Sequence, residues 1–162
     1  MTPLLRSLAF AAPASFTYLV LAPLACGCLD RKLKIGELVP RWLQLPGGLL
    51  LVAGAAIAIW TFVLFALVGH GTPNPLAPPQ HLVRVGPYRY SRNPMMLGGW
   101  IAGFGLGLLL RSPAYLLLCC VVVFAGAVYV VAIEEPSLVR RFGAAYSEYC
   151  RSTPRWLGCV RI

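Results

Sequence analysis

The stretch QHLVRVGPYRYSRNPMMLG, residues 80–98, lies between two long apolar segments and organises the chain around it. It contains three arginines and two tyrosines, and it ends in Asn93-Pro94, from which an apolar segment begins. Asn is a favoured N-cap, and Pro is favoured at the first helical position because its missing N–H would have no partner there. The sequence therefore predicts a helix start at Pro94 whose free N–H groups face the arginines, an arrangement that attracts carboxylates or phosphates.

The composition indicates an integral membrane protein. Hydrophobic residues make up 59% of the chain and charged residues only 12%, whereas about a quarter of a soluble protein is charged. Long apolar runs alternate with short basic loops, as in multi-pass membrane proteins. We therefore interpret the net charge of +9 as a topology signal and as contacts with membrane lipids, and we predict no nucleic-acid partner.

Four apolar segments predict an all-α membrane fold of about four transmembrane helices. A fifth is possible if the basic loop after the first segment, around residues 30–37, adds a half-span. The four segments are expected at residues 8–27, 48–68, 94–110 and 114–133. A signal peptide is the alternative for the first segment, but prolines interrupt it and Cys26-Gly27-Cys28 is not an A-x-A cleavage site. We divide the chain into an N-terminal span with its basic loop, residues 1–46, and a core, residues 47–162, within a single domain overall.

The tail after the fourth segment predicts short amphipathic helices on the membrane surface. Apolar and aromatic residues recur there at helical spacing, and such helices could cap a site from the solvent side. These residues are Leu138, Phe142, Tyr146 and Tyr149. Gly143 is expected to break the helix, and Pro154-Arg155-Trp156 is interpreted as an interfacial anchor.

Lys and Arg are more numerous on the face that carries the 80–98 stretch than on the opposite face. The positive-inside rule then places this stretch and both termini in the cytosol.

Two adjacent acids, Glu134 and Glu135, follow the fourth apolar segment in a chain with only five acids. Neighbouring carboxylates disfavour each other's ionisation unless cations are near. One interpretation is an interfacial salt bridge to Arg140, Arg141 or the basic loop. The other is a seat for a cationic ligand such as an ammonium or a sulfonium group.

Glycines and cysteines in the apolar segments have structural interpretations. The glycine-rich segment that begins at Gly98 lacks the preceding strand of a nucleotide-binding fingerprint. It favours tight helix packing, with room for a ligand beside the backbone as the alternative. The six cysteines lack metal-site spacing, so no metal is predicted.

Four motifs follow one another in a fixed order along the chain. They are Gly71-Thr72-Pro73-x-Pro75, Gly86-Pro87-Tyr88-Arg89-Tyr90-x-Arg92-Asn93-Pro94, Glu134-Glu135-x-x-Leu138 and Pro154-Arg155-Trp156. Together they resemble the isoprenylcysteine carboxyl methyltransferase family and its phospholipid N-methyltransferase relatives. The resemblance implies an integral membrane methyltransferase that uses S-adenosylmethionine (SAM). It implies a lipophilic or small-molecule acceptor, methylated on a carboxylate oxygen or, as the alternative, on a phospholipid amine.

The resemblance also implies roles for single residues. Glu134 would hold the ammonium group of the cofactor, Glu135 would support the site, and Glu135 and Arg92 are the candidate catalytic residues. The implied cofactor-binding residues are Gln80, His81, Leu82, Val83, Tyr88, Asn93, Pro94, Met95, Met96, Gly98 and Glu134.

The sequence departs from the family pattern at two positions. Met96 stands where the family usually has Tyr, and Val130 stands where eukaryotic isoprenylcysteine enzymes carry an Arg that pairs with the substrate carboxylate. The second departure leaves room for another lipid or small acceptor. Two other classes are a small transporter, which usually needs ionisable groups at mid-membrane that the predicted spans lack, and a membrane protein without chemistry.

Overall fold

The computed structural model describes residues 17–35, 38–69 and 79–157. Within these ranges the regular elements are all helical, which confirms the all-α prediction. The first predicted span, residues 8–27, and the Gly71–Pro75 motif lie partly or wholly outside the described residues.

The helices follow one another in this order: a π-helical turn Thr17–Leu21, α1 Ala22–Leu33, a 3-10 turn Arg41–Leu43, α2 Gln44–Leu67, a 3-10 turn Gly86–Arg89, α3 Pro94–Leu109, α4 Pro113–Tyr129, a π-helical turn Val130–Glu134, α5 Glu135–Phe142 and α6 Ala144–Ser152. The predicted boundary between residues 46 and 47 falls in the first turn of α2, and the division of the chain that it implied stays a prediction.

Among the described residues, two helices have the length and composition to cross a membrane. They are Arg41–Phe65 and the continuous helix Pro113–Phe142. Helix α3 is equally apolar but has 16 residues. At 1.5 Å per residue it is roughly 24 Å long, shorter than a hydrocarbon core of about 30 Å. The structure thus has two candidate spans, and the count of four stays a prediction.

Small residues allow α2 and α3 to pack backbone against backbone. A Cβ atom placed on Gly98 would lie 2.8 Å from Gly54 O and 2.8 Å from Ala58 N. One on Gly47 would lie 2.9 Å from Gly105 O. Such approach is possible only without side chains, so glycine acts here as in other close membrane-helix contacts.

The start of α4 is fixed by α1. Asp30 is buried, and its carboxylate accepts hydrogen bonds from the Ser112 hydroxyl and, at 3.1 Å, from Ala114 N. Ser112 also caps the helix, since Tyr115 N donates to its hydroxyl oxygen over 3.2 Å. These bonds satisfy N–H groups that have no partner inside the helix.

Helix α3 begins at Pro94 as predicted, but the capping role predicted for Asn93 is wrong. The Asn93 side chain makes no cap hydrogen bond, and its amide donates instead to Arg155 O over 3.1 Å. The chain thus uses this buried amide to hold the C-terminal segment, a tertiary contact that local sequence cannot reveal.

The tail forms two short helices, with the break at Gly143 as predicted. Gly143 has φ +54°, a left-handed conformation that favours glycine. An interfacial anchor at residues 154–156 stays a prediction. Trp156 is only partly exposed, and its ring lies 4.8 Å from that of Trp100 on α3, so it packs against the helices.

We expect Gly98→Ala to lower the free energy of unfolding by about 1–3 kcal/mol, because the new methyl group must displace backbone atoms of α2. Gly99→Ala is the matched control. No atom lies within 4 Å of a Cβ at that position, so this variant should be neutral or stabilised by up to about 1 kcal/mol. Reversible unfolding in SDS measures both changes, and equal stability of the two variants would contradict the proposed packing.

Candidate functional site

A cavity of about 370 Å³ lies between the 79–96 stretch, the end of α2, the π-helical turn and the two tail helices. Nine residues predicted as cofactor-binding or catalytic line it: His81, Leu82, Val83, Tyr88, Arg92, Asn93, Met95, Met96 and Glu134. The sequence positions that carried the family resemblance therefore meet around one space, although they come from segments about 40 residues apart in the chain.

Four of the predicted residues lie elsewhere. Gln80 is exposed, and its backbone N–H donates to Gly69 O over 2.8 Å. Pro94 is buried in the first turn of α3, and Gly98 packs against α2. Glu135 is not part of the cavity lining. For these four, a direct contact with a cofactor stays a prediction, and for Gly98 helix packing accounts for the glycine.

The two adjacent acids have different environments. Glu134 ends the π-helical turn Val130–Glu134 and lines the cavity, whereas Glu135 begins α5 and pairs with arginines. A π-helical turn changes the angle between successive side chains, and such turns are frequent at functional sites. It lets one helix present one acid to the cavity and the next to the basic groups.

The carboxyl group of Glu134 lacks a polar partner among the described residues. It is partly buried, and within the part of the chain that the structure describes it makes no hydrogen bond or ion pair. Its neighbours in the cavity lining include the aromatic side chains of Tyr88, Phe142 and Tyr146. A carboxylate in such surroundings is costly without a partner, so the cavity favours a cationic ligand at this position.

Glu135 lies between two arginines. Its Oε1 accepts from Arg92 Nη1 and from Arg155 Nε, and its Oε2 accepts from Arg155 Nη2, each over 2.8 Å. The Arg155 contact is bidentate, the strongest arrangement for this pair of groups. The bond to Glu135 also raises the pKa of Arg155 above its usual range. Of the two interpretations of the acids, the salt bridge thus describes Glu135, with Arg92 and Arg155 as its partners.

Arg155 belongs to a C-terminal segment that is tied to the start of α3. Arg92 N donates to Pro154 O over 3.0 Å, and the Ser91 hydroxyl donates to Arg155 O over 3.3 Å. With the Asn93 amide and the Trp156 ring, these bonds close one side of the site. Sequence reasoning missed Arg155. The one available signal was its place in the motif of residues 154–156.

The tail helices cover the cavity. Leu138, Phe142, Tyr146 and Tyr149, which recur at helical spacing, all line it. The Tyr149 hydroxyl donates to Tyr88 O over 2.6 Å, and Arg84 donates to Ala145 O. Burial raises the pKa of the Tyr88, Tyr146 and Tyr149 hydroxyls above their usual range, so all three stay neutral at physiological pH.

Sequence reasoning missed three lining residues because they lie in the apolar segments. Phe65 comes from the end of α2, Tyr129 from the end of α4 and Ile133 from the π-helical turn. Nothing in the sequence distinguishes them from other membrane-facing apolar residues.

A comparison with family models matches residues 42–145, about two thirds of the chain, to the model described as phospholipid methyltransferase. The matched range runs from the start of α2 into α6 and includes the basic stretch, both acids and most of the cavity lining. Searches of curated proteins and of solved structures returned no match.

Glu135→Gln should destabilise the fold by roughly 1–3 kcal/mol, because it removes the charge that pairs with Arg92, which is 11% exposed, and with Arg155, which is 38% exposed. Glu148→Gln is the matched control. Glu148 meets Arg84 at 3.8 Å with its side chain 77% exposed, so its loss should cost at most about 0.5 kcal/mol. Unfolding in SDS measures both. A Glu135→Gln variant as stable as the control would show that the arginine contacts do not hold the fold.

Proposed function

Because the chain belongs to the phospholipid methyltransferase family, we propose that this membrane methyltransferase binds SAM in the cavity beneath the tail helices. Family membership and the two long apolar helices support the membrane and methyltransferase assignments. Use of SAM is general in such enzymes, and binding by this chain is the proposal.

The observation that carries the proposal is Glu134, a cavity-lining carboxylate with no partner among the described residues. SAM has an ammonium group and a sulfonium centre, both cationic, and a carboxylate. Arg92 also lines the cavity, which supports an attraction between its guanidinium and that carboxylate. A volume of about 370 Å³ falls within the range of small-molecule sites. The residues present therefore fit the cofactor.

In this proposal Glu134 holds the ammonium group, and the Arg92 guanidinium attracts the carboxylate. Aromatic side chains, among them Tyr88 and Tyr146, surround the adenosine and sulfonium portions, as aromatic faces do for cationic ligands. When bound, the cofactor supplies an already activated methyl group. The protein's task is then alignment and exclusion of water.

The geometry favours a positioning role over a catalytic one for Glu135. Both of its carboxylate oxygens accept hydrogen bonds from arginines, which stabilise the ionised form and occupy its lone pairs. Such a group is a poor proton acceptor, and it lies outside the cavity lining. Arg92, the second candidate catalytic residue, touches the cavity and fits a binding role.

An acceptor that needs no base suits this site best. A carboxylate oxygen attacks as an anion, so its methylation releases no proton to the protein. We therefore propose O-methylation of a lipophilic carboxylate, which reaches the cavity along Met95, Met96 and Ile133 at its apolar end. Ile133 is 56% exposed on the outside of the helices, as access from the bilayer requires.

Phospholipid N-methylation is the second candidate, because the matched family is described as phospholipid methyltransferase. An ammonium acceptor must lose protons before or during transfer. Glu134 is the acid present in the described cavity lining, and in this proposal the cofactor already engages it. This places N-methylation behind O-methylation.

We also propose a multi-pass topology with the cavity and both termini in the cytosol. The cavity face carries Arg84, Arg89, Arg92, Arg140 and Arg141, which the positive-inside rule assigns to the cytoplasmic side. A soluble cofactor would then reach the site directly.

We expect wild-type protein in detergent to bind SAM in isothermal titration calorimetry and Glu134→Gln to bind at least about 30-fold more weakly, as for loss of a buried charge pair. Glu148→Gln removes an exposed acid of α6 outside the cavity lining and should bind like wild type. Absence of binding by folded wild-type protein would overturn the proposal. Undiminished binding by Glu134→Gln would remove Glu134 from the site.

The acceptor class can be tested with SAM labelled in its methyl group, offered with a prenylcysteine analogue or with phosphatidylethanolamine. A methyl ester releases labelled methanol on alkaline treatment, whereas an N-methyl group does not. We expect base-labile label on the carboxylate acceptor. Base-stable label on the phospholipid would establish N-methylation instead.

A further inference from the structure

A second cavity, of about 880 Å³, opens at the other end of α3 from the methyltransferase site. The N-terminal turn and α1 form one wall, and the turn between α3 and α4 forms the other. Apolar side chains line part of it, with Leu19, Leu24 and Leu110 exposed by 41%, 63% and 51%. The cations Arg31, Lys34 and Arg111 also line it. We refer to this space as the basic groove.

The backbone at two of these cations is unusual. Lys34 has φ 55° and Arg111 has φ 53°, and among the described residues they alone adopt positive φ without being glycine. Each follows the end of a helix and donates its backbone N–H to the carbonyl three residues earlier. Lys34 N bonds to Arg31 O, and Arg111 N bonds to Leu108 O. Glycine is the usual residue at such a position because it adopts this conformation without strain.

The helix dipole explains only part of this choice. A cation near a helix C-terminus is favourable, and α1 already has Arg31 and Lys32 in its last turn. The dipole gives no reason for cations at both strained positions, nor for both to line the same groove. A ligand of opposite charge in the groove explains both.

The cations retain free hydrogen-bond donors. Arg111 Nε donates to Val39 O over 2.7 Å, which orients the guanidinium and leaves its terminal nitrogens without a partner in the described structure. Lys34 Nζ likewise has none among the described residues. Among the described residues that line the groove, the one acid is Asp30, which is engaged by the Ser112 hydroxyl and Ala114 N. The groove therefore has excess positive charge beside an apolar wall.

We propose that the basic groove binds an anionic phospholipid. Its phosphate lies between Arg31, Lys34 and Arg111, and an acyl chain lies along the leucines of the wall. A soluble anion would use the cations alone and would leave the apolar wall exposed. A lipid uses both, and basic pockets between membrane helices suit anionic head groups. The site is separate from the methyl-transfer cavity and does not depend on the function proposed for it.

The test is thermal unfolding of the full chain in detergent, titrated with phosphatidylglycerol, with phosphatidylcholine or with inorganic phosphate. We expect phosphatidylglycerol alone to raise the midpoint. For the double variant Arg31→Gln/Lys34→Gly, the apparent affinity for phosphatidylglycerol should fall about 25-fold. This estimate takes about fivefold for each of the two cations that are removed. Glycine at position 34 also relieves the backbone strain, so the variant should fold.

Lys32→Gln is the matched control. Lys32 lies between Arg31 and Lys34 in sequence, at the end of α1, but does not line the groove. It should respond to phosphatidylglycerol like wild type. An unchanged response of the double variant would overturn the proposal. So would equal stabilisation by phosphatidylcholine, which would show that charge is not recognised, or by inorganic phosphate, which would show that the acyl chain contributes nothing.

Discussion

The carboxylate of Glu135, held at 2.8 Å by Arg92 and by Arg155, is the contact on which the rest of the site depends. It joins three segments that are distant in sequence: the basic stretch before α3, the start of α5 and the C-terminal segment. The side chains of Arg92 and Glu135 are mostly shielded from water, at 11% and 15% exposure, whereas that of Arg155 is 38% exposed. Loss of Glu135 would leave Arg92 as a largely buried charge without its carboxylate partner, which is more costly than the pair is stabilising.

A second constraint, the close contact of α2 with α3, fixes where these charges meet. Gly54 and Gly98 bring the two backbones together. This contact fixes the position of the start of α3 relative to the end of α2. Phe65 at that end then lies 5.3 Å, ring to ring, from Tyr88 in the basic stretch. The packing of apolar helices thus determines the position of the polar stretch, although that stretch contains no transmembrane residues of its own.

Features with a local cause could be predicted from the sequence. The start at Pro94, the break at Gly143 and the helical spacing of Leu138 and Tyr149 all follow from backbone conformation or periodicity. The lining of the cavity by His81 to Val83 and by Glu134 came from the order of the family motifs. Those motifs record which segments meet, although no one segment shows it.

Features that depend on the meeting of distant segments could not be predicted. Asn93 has the chemistry of a cap, and only the presence of Arg155 O beside it gives its amide a different partner. Arg155 and Trp156 have the composition of an interfacial anchor, and nothing in their local sequence shows that they contact the Glu135 carboxylate and the Trp100 ring. Helix α3 was predicted as a span from hydropathy alone, and that its 16 residues cross the membrane stays a prediction.

The two neighbouring acids show how one site can satisfy opposite requirements. Like charges on adjacent residues repel, and the arginines remove this conflict by taking Glu135 into an ion pair. Glu134 then lines the cavity with a carboxyl group that has no partner among the described residues. For transfer of a methyl group that is already activated, alignment contributes more than proton transfer. The ion pairs of Glu135 fix the segments that form the site, and Glu134 is left available to a ligand. Such a reaction requires both, so one acid must be paired for the other to be available.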